Sequence, residues 1–150
     1  MPETVRRTTL SERRPGDRLN LERAMTLSSR LGGHLVSGHI DGVGTVRSVT
    51  PEDNALVLEI EAPEAVSRVT VDQGSIAVDG VSLTVVGVEG ARVRVSLIPH
   101  TAVVTTLGRL TTGSRVNLEA DLIAKYVYAF VTGHKPGDGL TWEKLAEAGF

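Results

Sequence analysis

The sequence predicts an all-β fold, a barrel or a sandwich, and three observations carry that expectation. Short runs rich in Val, Ile, Leu and Thr recur through the middle of the chain, turn residues separate them, and the repeat spacing of about 8–12 residues suits strands. The runs are Ile40–Val49, Ala55–Glu61, Ser75–Val78, Val81–Gly87 and Arg92–Ile98, punctuated by Pro51–Asn54, Asp79-Gly80 and Glu89-Gly90. Val104–Leu107 and Arg115–Ala120 extend the series across Thr112-Gly113.

Helices are expected at the margins. Over Glu22–Leu31, Met25, Leu27 and Leu31 fall on one helical stripe, and Gly32-Gly33 supplies a C-terminal stop. Over Asp121–Val131, Asp121 can cap the N-terminus, and Leu122, Ile123, Tyr126, Val127 and Phe130 follow at helical spacing. Gly133–Gly139 reads as a linker, after which Thr141 can cap a last short helix.

Composition narrows the function classes. At 150 residues the chain is sized for one domain with attachments. Sixteen basic against 18 acidic residues give a net charge of −2, which argues against nucleic-acid or anionic-membrane partners. No run reaches the roughly 18 apolar residues of a membrane helix, and no apolar leader follows Met1, so a cytoplasmic location is expected. With no cysteine there is no disulfide, thiolate nucleophile or cysteine-ligated metal. Every aromatic residue (Tyr126, Tyr128, Phe130, Trp142, Phe150) lies near the C-terminus, so the body offers no ring on which a base could stack.

An internal repeat is the strongest signal. Glu3–Glu22 aligns without gaps on His100–Glu119 at an offset of 97, and nine of 20 pairs are identical, among them Thr8/Thr105, Thr9/Thr106, Arg18/Arg115, Asn20/Asn117 and Glu22/Glu119. One copy closes the β body and the other opens the chain. A matching first body would need about 60 further residues upstream, so the chain is expected to be truncated. Glu3–Leu10 and Arg18–Glu22 are then two strands with no sheet of their own to join.

Three segments hold polar groups capable of chemistry. Gly32-Gly33-His34-Leu35-Val36-Ser37-Gly38-His39 has two readings: backbone approaching a ligand with His39 as a proton-transfer group, or a helix stop and a glycine turn with incidental histidines. No further ligand follows at metal spacing. Ser82 and Thr84, at i and i+2, share one strand face while Val81, Leu83 and Val85 take the other. The hydroxyls can read a polar heterocycle edge, or Thr84 can simply be a good strand former. Ser96-Leu97-Ile98-Pro99-His100-Thr101 ends a strand at a proline and leaves His100 and Thr101 at its rim.

Taken together, the stretches Glu3–Leu10, Asn20–Ala24, Gly32–His39, Gly74–Thr84, Ser96–Thr101 and Val116–Glu119 resemble the lumazine-binding, riboflavin synthase-like family of two-barrel enzymes. The resemblance implies a six-stranded antiparallel Greek-key barrel with flanking helices. It divides the chain into a first-barrel remnant with a connecting helix (1–33), a complete second barrel (34–121), and a C-terminal helix and tail (122–150). It implies dismutation of two 6,7-dimethyl-8-ribityllumazine molecules to riboflavin and a ribitylaminouracil, by a homotrimer, without metal or organic cofactor. The substrate positions it implies are Glu3, Thr4, Gly38, His39, Ile40, Gln73, Ser82, Leu83, Thr84, Ser96, Leu97, Ile98, Pro99, His100 and Thr101. His39, Ser82 and Thr84 are its catalytic candidates. Gln73 departs from the family, which commonly has lysine there. A non-catalytic lumazine- or flavin-binding module is the alternative.

Overall fold

Six antiparallel strands close into a barrel in the computed structural model, which describes residues 2–133. They are β1 (Gly42–Glu52), β2 (Ala55–Glu61), β3 (Ser75–Val78), β4 (Val81–Glu89), β5 (Arg92–Leu97) and β6 (Arg115–Ala120), and their order around the barrel is β1-β2-β5-β4-β3-β6. Hairpins link β3, β4 and β5, while β2 lies beside β5, which is the Greek-key order. The expected six-stranded antiparallel barrel is therefore what the chain forms, and three of the strand ranges coincide with those expected.

Turn chemistry sets the register. Asp79 and Gly80 both have positive φ, 44° and 79°, in the two-residue turn that pairs Val78 with Val81. Alternation then sends one face of each strand inward. Val46, Leu58, Ile60, Ile76, Val78, Val85, Val93, Val95, Leu97, Val116 and Leu118 are fully buried, giving an aliphatic interior without a ring. Gly44 lies against that interior: a Cβ there would come within 2.7 Å of Leu118 Cδ1 and 2.8 Å of Ile60 Cγ2.

Among the described residues four α-helices flank the barrel: α1 (Pro2–Arg7), α2 (Glu64–Ser67), α3 (Pro99–Val104) and α4 (Leu122–Val131). The Asp121 side chain caps α4 by accepting from Ile123 N at 2.8 Å. On its inner side Lys125 Nζ meets Asp41 Oδ2 at 2.6 Å, and Arg68 stacks over the Tyr128 ring at 5.4 Å. The helix expected from Thr141 lies outside the described residues.

Three expectations need correction. Residues 22–31 form no helix. Leu27 is fully exposed and Met25 more than half exposed, so among the described residues nothing covers their stripe. A ten-residue helix without such packing is marginal in water. Thr26 and Ser29 instead close a local turn, with Thr26 N donating to Ser29 Oγ and Ser29 N to Thr26 O, each at 3.0 Å. Residues 104–107 are not a strand either. Pro99 starts α3 as its first residue, and Thr105 caps the 3-10 turn Thr106–Arg109 by accepting from Leu107 N. The same holds for residues 3–10, which are α1 and the 3-10 turn Thr9–Glu12 rather than a strand, and Arg18–Glu22 is irregular. The threonines that suggested strands act as caps.

The repeat reappears in three dimensions. α1 and its 3-10 turn match α3 and its 3-10 turn residue for residue at the offset of 97. Thr8 Oγ1 donates to Thr4 O and accepts from Leu10 N, as Thr105 Oγ1 donates to Thr101 O and accepts from Leu107 N. The two copies also exchange partners. Asn117 Oδ1 accepts from Thr9 N and Asn20 Oδ1 accepts from Thr106 N, both at 2.8 Å. Reciprocal bonds of this kind dock the N-terminal segment onto the barrel.

Asp79 sits at that junction. Burial pushes its carboxyl above the ordinary 3.8, opposed by hydrogen bonds from Asn117 N and Nδ2 and by the nearby Arg13 charge. The folded chain therefore keeps a proton on Asp79 where the unfolded chain has lost it. Stability falls as pH rises from about 3.8 through the raised value. Asp79→Asn keeps an acceptor oxygen and suits the positive φ. It should flatten this pH dependence and make the chain more stable than wild type at neutral pH. Urea titrations at pH 4 and pH 7 check this; an equal slope in both proteins would remove Asp79 from the account.

Candidate functional site

Strand alternation places Ser82 and Thr84 together on the outer face of β4, while Leu83 and Val85 enter the core. Register adds neighbours: Ser75 of β3 lies opposite Thr84, Ala77 opposite Ser82, and Glu119 of β6 opposite Ala77. An outward row, Ser82–Ala77–Glu119, therefore runs across three strands, with Thr84 and Ser75 beside it. Thr84 makes no side-chain hydrogen bond among the described residues.

The segment before β1 crosses this row. At one end Ser82 Oγ accepts from His34 N at 3.3 Å and meets His34 Nδ1 at 2.7 Å. Gly33 is so close that a Cβ there would fall 2.3 Å from Ser82 Oγ, so only glycine permits this approach. Among the described residues His34 Nε2 is buried without a partner. At the other end the buried carboxylate of Glu119, 2% exposed, accepts from Ser37 N at 2.8 Å, Ser37 Oγ at 2.7 Å and Gly38 N at 3.0 Å. Ser37 Oγ also lies 2.8 Å from His39 Nδ1. Gly38 has φ +79°, a conformation that costs a residue with a Cβ. Asp41 pins the start of β1, accepting from Ala120 N at 2.8 Å.

The structure thus joins Gly38, His39, Ser82 and Thr84 on one barrel face, with Ile40 following half-buried. Gln73 stands before β3 with φ +61°, its N–H donating to Val85 O at 2.9 Å, and its side chain exposed. Along Ser96–Thr101 the residues separate: Leu97 is core, Ser96 half-buried, Ile98 exposed, and Pro99, His100 and Thr101 form the first turn of α3. Leu83 and Leu97 therefore present only backbone to the outside. Glu3 and Thr4 lie on α1, where Glu3 pairs with Arg6 at 2.8 Å and Thr4 O accepts from Thr8, and among the described residues neither bonds to the cluster. Glu119, Ser37, His34 and Ser75 are not among the substrate positions that the resemblance implies, although His34 and Ser37 lie in the Gly32–His39 segment. The signal for Glu119 was present, because a glutamate recurs at both copies of the repeat.

The chain is thus a six-stranded barrel with hydroxyls and a glycine-rich loop on its outer face, and comparison with known proteins gives its family. The family model described as the lumazine binding domain matches residues 37–121, and the chain belongs to that family. Its curated relatives within that family are riboflavin synthases. It is 53% identical over 131 residues to the riboflavin synthase of Mycobacterium tuberculosis (strain ATCC 25618 / H37Rv), covering 85% of this chain and 65% of that protein. It is 43% identical to the riboflavin synthase of Actinobacillus pleuropneumoniae, covering 100% of this chain and 71% of that protein. For the Bacillus subtilis (strain 168) enzyme the values are 42%, 99% and 68%. The chain thus spans about two thirds of the length of these relatives. Among solved structures it is similar to LumP complexed with riboflavin, with TM-score 0.72 and 29% identity over 79% of this chain and 64% of that one. It is also similar to LumP complexed with 6,7-dimethyl-8-(1'-D-ribityl) lumazine, with TM-score 0.70 and 28% identity over 80% and 64%. Among the described residues no helix is long and apolar enough to cross a membrane.

Proposed function

We propose that this chain binds 6,7-dimethyl-8-ribityllumazine and riboflavin on the outer face of β3–β4. Facing a second lumazine-binding barrel, it carries out the riboflavin synthase dismutation to riboflavin and 5-amino-6-(ribitylamino)uracil. The observation that carries this reading is the convergence of Ser82, Thr84, Gly38 and His39 on one face of a lumazine-family barrel. Hydroxyls and backbone groups can hydrogen-bond the pteridine edge and the ribityl chain, and the backbone of Leu83 and of Ile98–Thr101 extends that polar rim. Dismutation requires a proton taken from an activated methyl group of one lumazine. In this reading His39 Nε2 receives that proton, and the C–H electron pair stays on the ligand, delocalised into its ring. Ser82 and Thr84 hold the ligand against it.

The proposal extends to a homotrimer in the cytoplasm, as the family resemblance implies. Exposed apolar residues on α4, Tyr126, Phe130 and Val131, support self-association. A second reading, a module that holds lumazine or flavin without turnover, is favoured by the likeness to LumP bound to those ligands. Riboflavin formation separates the two.

Fluorescence titration with the lumazine and with riboflavin tests the site. One ligand should bind per chain. Thr84→Val should weaken binding by about 1–3 kcal/mol, because a ligand polar group loses its buried partner. Equal affinity in the variant would take Thr84 out of the site.

A further inference from the structure

We propose that Ser37 and the buried Glu119 are positioning residues that hold His39 in its Nδ1–H tautomer and leave Nε2 as the open proton acceptor. Hydrogen counting carries the argument. Three donors converge on Glu119: Ser37 N, Ser37 Oγ and Gly38 N, at 2.8, 2.7 and 3.0 Å. The carboxylate accepts from all three. A serine hydroxyl has one hydrogen, and here it goes to Glu119. Ser37 Oγ, 2.8 Å from His39 Nδ1, can then only accept, so Nδ1 must carry the hydrogen. A neutral imidazole has one N–H, which leaves Nε2 bare. Nε2 makes no hydrogen bond among the described residues, and His39 is exposed.

The arrangement also suits the protonated ring. When Nε2 gains a proton, Nδ1 remains a donor, so the chain His39–Ser37–Glu119 keeps every bond while positive charge appears at one end and negative charge stands at the other. The carboxylate is fixed in turn: Glu119 lies on β6, opposite Ala77 of β3, and is 2% exposed. The relay is thus anchored on the barrel wall through Glu119, while Ser37 and His39 belong to the loop that it orients. One serine serves two purposes. Its N–H ties the loop down, and its hydroxyl sets the ring.

This inference rests on the lumazine reading for what Nε2 meets, but not for the tautomer. The full chain, labelled with ¹⁵N at histidine, is examined by long-range ¹H–¹⁵N correlation with His39 neutral. The wild type should show His39 mainly as Nδ1–H. Ser37→Ala retains the backbone bond to Glu119 but removes the hydroxyl, so His39 should shift to mainly Nε2–H, the form preferred by an unrestrained histidine. Ser37→Thr should restore the Nδ1–H form. A purely structural serine would leave the ring signals alone. A wild-type His39 that is mainly Nε2–H, or a Ser37→Ala spectrum unchanged from wild type, overturns the proposal. Glu119→Gln, compared by the same spectrum after its fold is checked by circular dichroism, should weaken the Nδ1–H preference; no change there also counts against the relay. Adding 6,7-dimethyl-8-ribityllumazine should move the Nε2 resonance more than Nδ1. If the lumazine does not bind at all, the proposed function fails while the tautomer result stands on its own. If it binds and Nε2 does not respond, the acceptor role is overturned.

Discussion

Riboflavin formation by the 150-residue chain alone should run at least a hundredfold slower than by the same chain supplied with a second lumazine-binding barrel. Dismutation joins two lumazines, and holding both in reactive alignment is worth about 7–11 kcal/mol of barrier. The described residues build one barrel with one outward polar face. A lone barrel can bind the donor or the acceptor, but must then wait for the second molecule to arrive from solution in the correct orientation. A second barrel, fused upstream or added as a separate fragment, supplies that orientation. About 2 kcal/mol recovered from the alignment term already exceeds a factor of ten, and about 3 a factor of a hundred. The measurement is the initial rate of riboflavin appearance, with and without the added barrel, at matched lumazine concentration. Equal rates would mean that this barrel pairs productively with a copy of itself, and the two-barrel requirement would fall.

The barrel was legible in the sequence because period-two alternation and paired turn residues are local signals. Asp79-Gly80 marks a tight hairpin in any strand context, and the described structure uses it as one. The Ser82/Thr84 pair was legible for the same reason, since spacing alone puts them on one face. What the sequence concealed depends on long-range partners. Thr8 and Thr105 have strand-forming chemistry, yet each caps a 3-10 turn because its hydroxyl finds backbone groups two and four residues away. The stripe of Met25, Leu27 and Leu31 has helical spacing, but a helix that short forms only when something covers it. In the sequence Glu119 is one residue of the strand run Arg115–Ala120. Its hydrogen-bond partners show only when residues 37 and 38, more than eighty positions earlier, close on it. The repeat was visible as identities, while the exchange of Asn20 and Asn117 between the two copies was not.

Leu118→Ala should cost about 2–5 kcal/mol of stability, toward the upper part of that range. Leu118 is fully buried at the middle of β6, its register partners are Gly42 and Val78, and its carbonyl accepts from Asp41 N at 2.9 Å. Truncation removes the transfer energy of the lost γ-methine and two δ-methyl groups and leaves a cavity, whose cost depends on how far neighbours can collapse. Here they can collapse little. Gly44 faces that region without a side chain, and Ile60 and Val78 are fixed in paired strands. Against a typical total of about 5–15 kcal/mol, the loss is a large fraction. Gly44 supplies an internal control. A Cβ there meets Leu118 Cδ1 at 2.7 Å, Ile60 Cγ2 at 2.8 Å and the Glu61 carbonyl at 3.0 Å, so Gly44→Ala alone overpacks the wild-type core. In the Leu118→Ala background one of those clashes is gone and the new methyl enters the vacated space. Urea unfolding of the two single variants and the double variant should therefore be non-additive, with Gly44→Ala costing less in the Leu118→Ala background than in the wild type. Strict additivity would mean that residues 44 and 118 do not share that space, and the upper-range cost assigned to Leu118 would lose its basis.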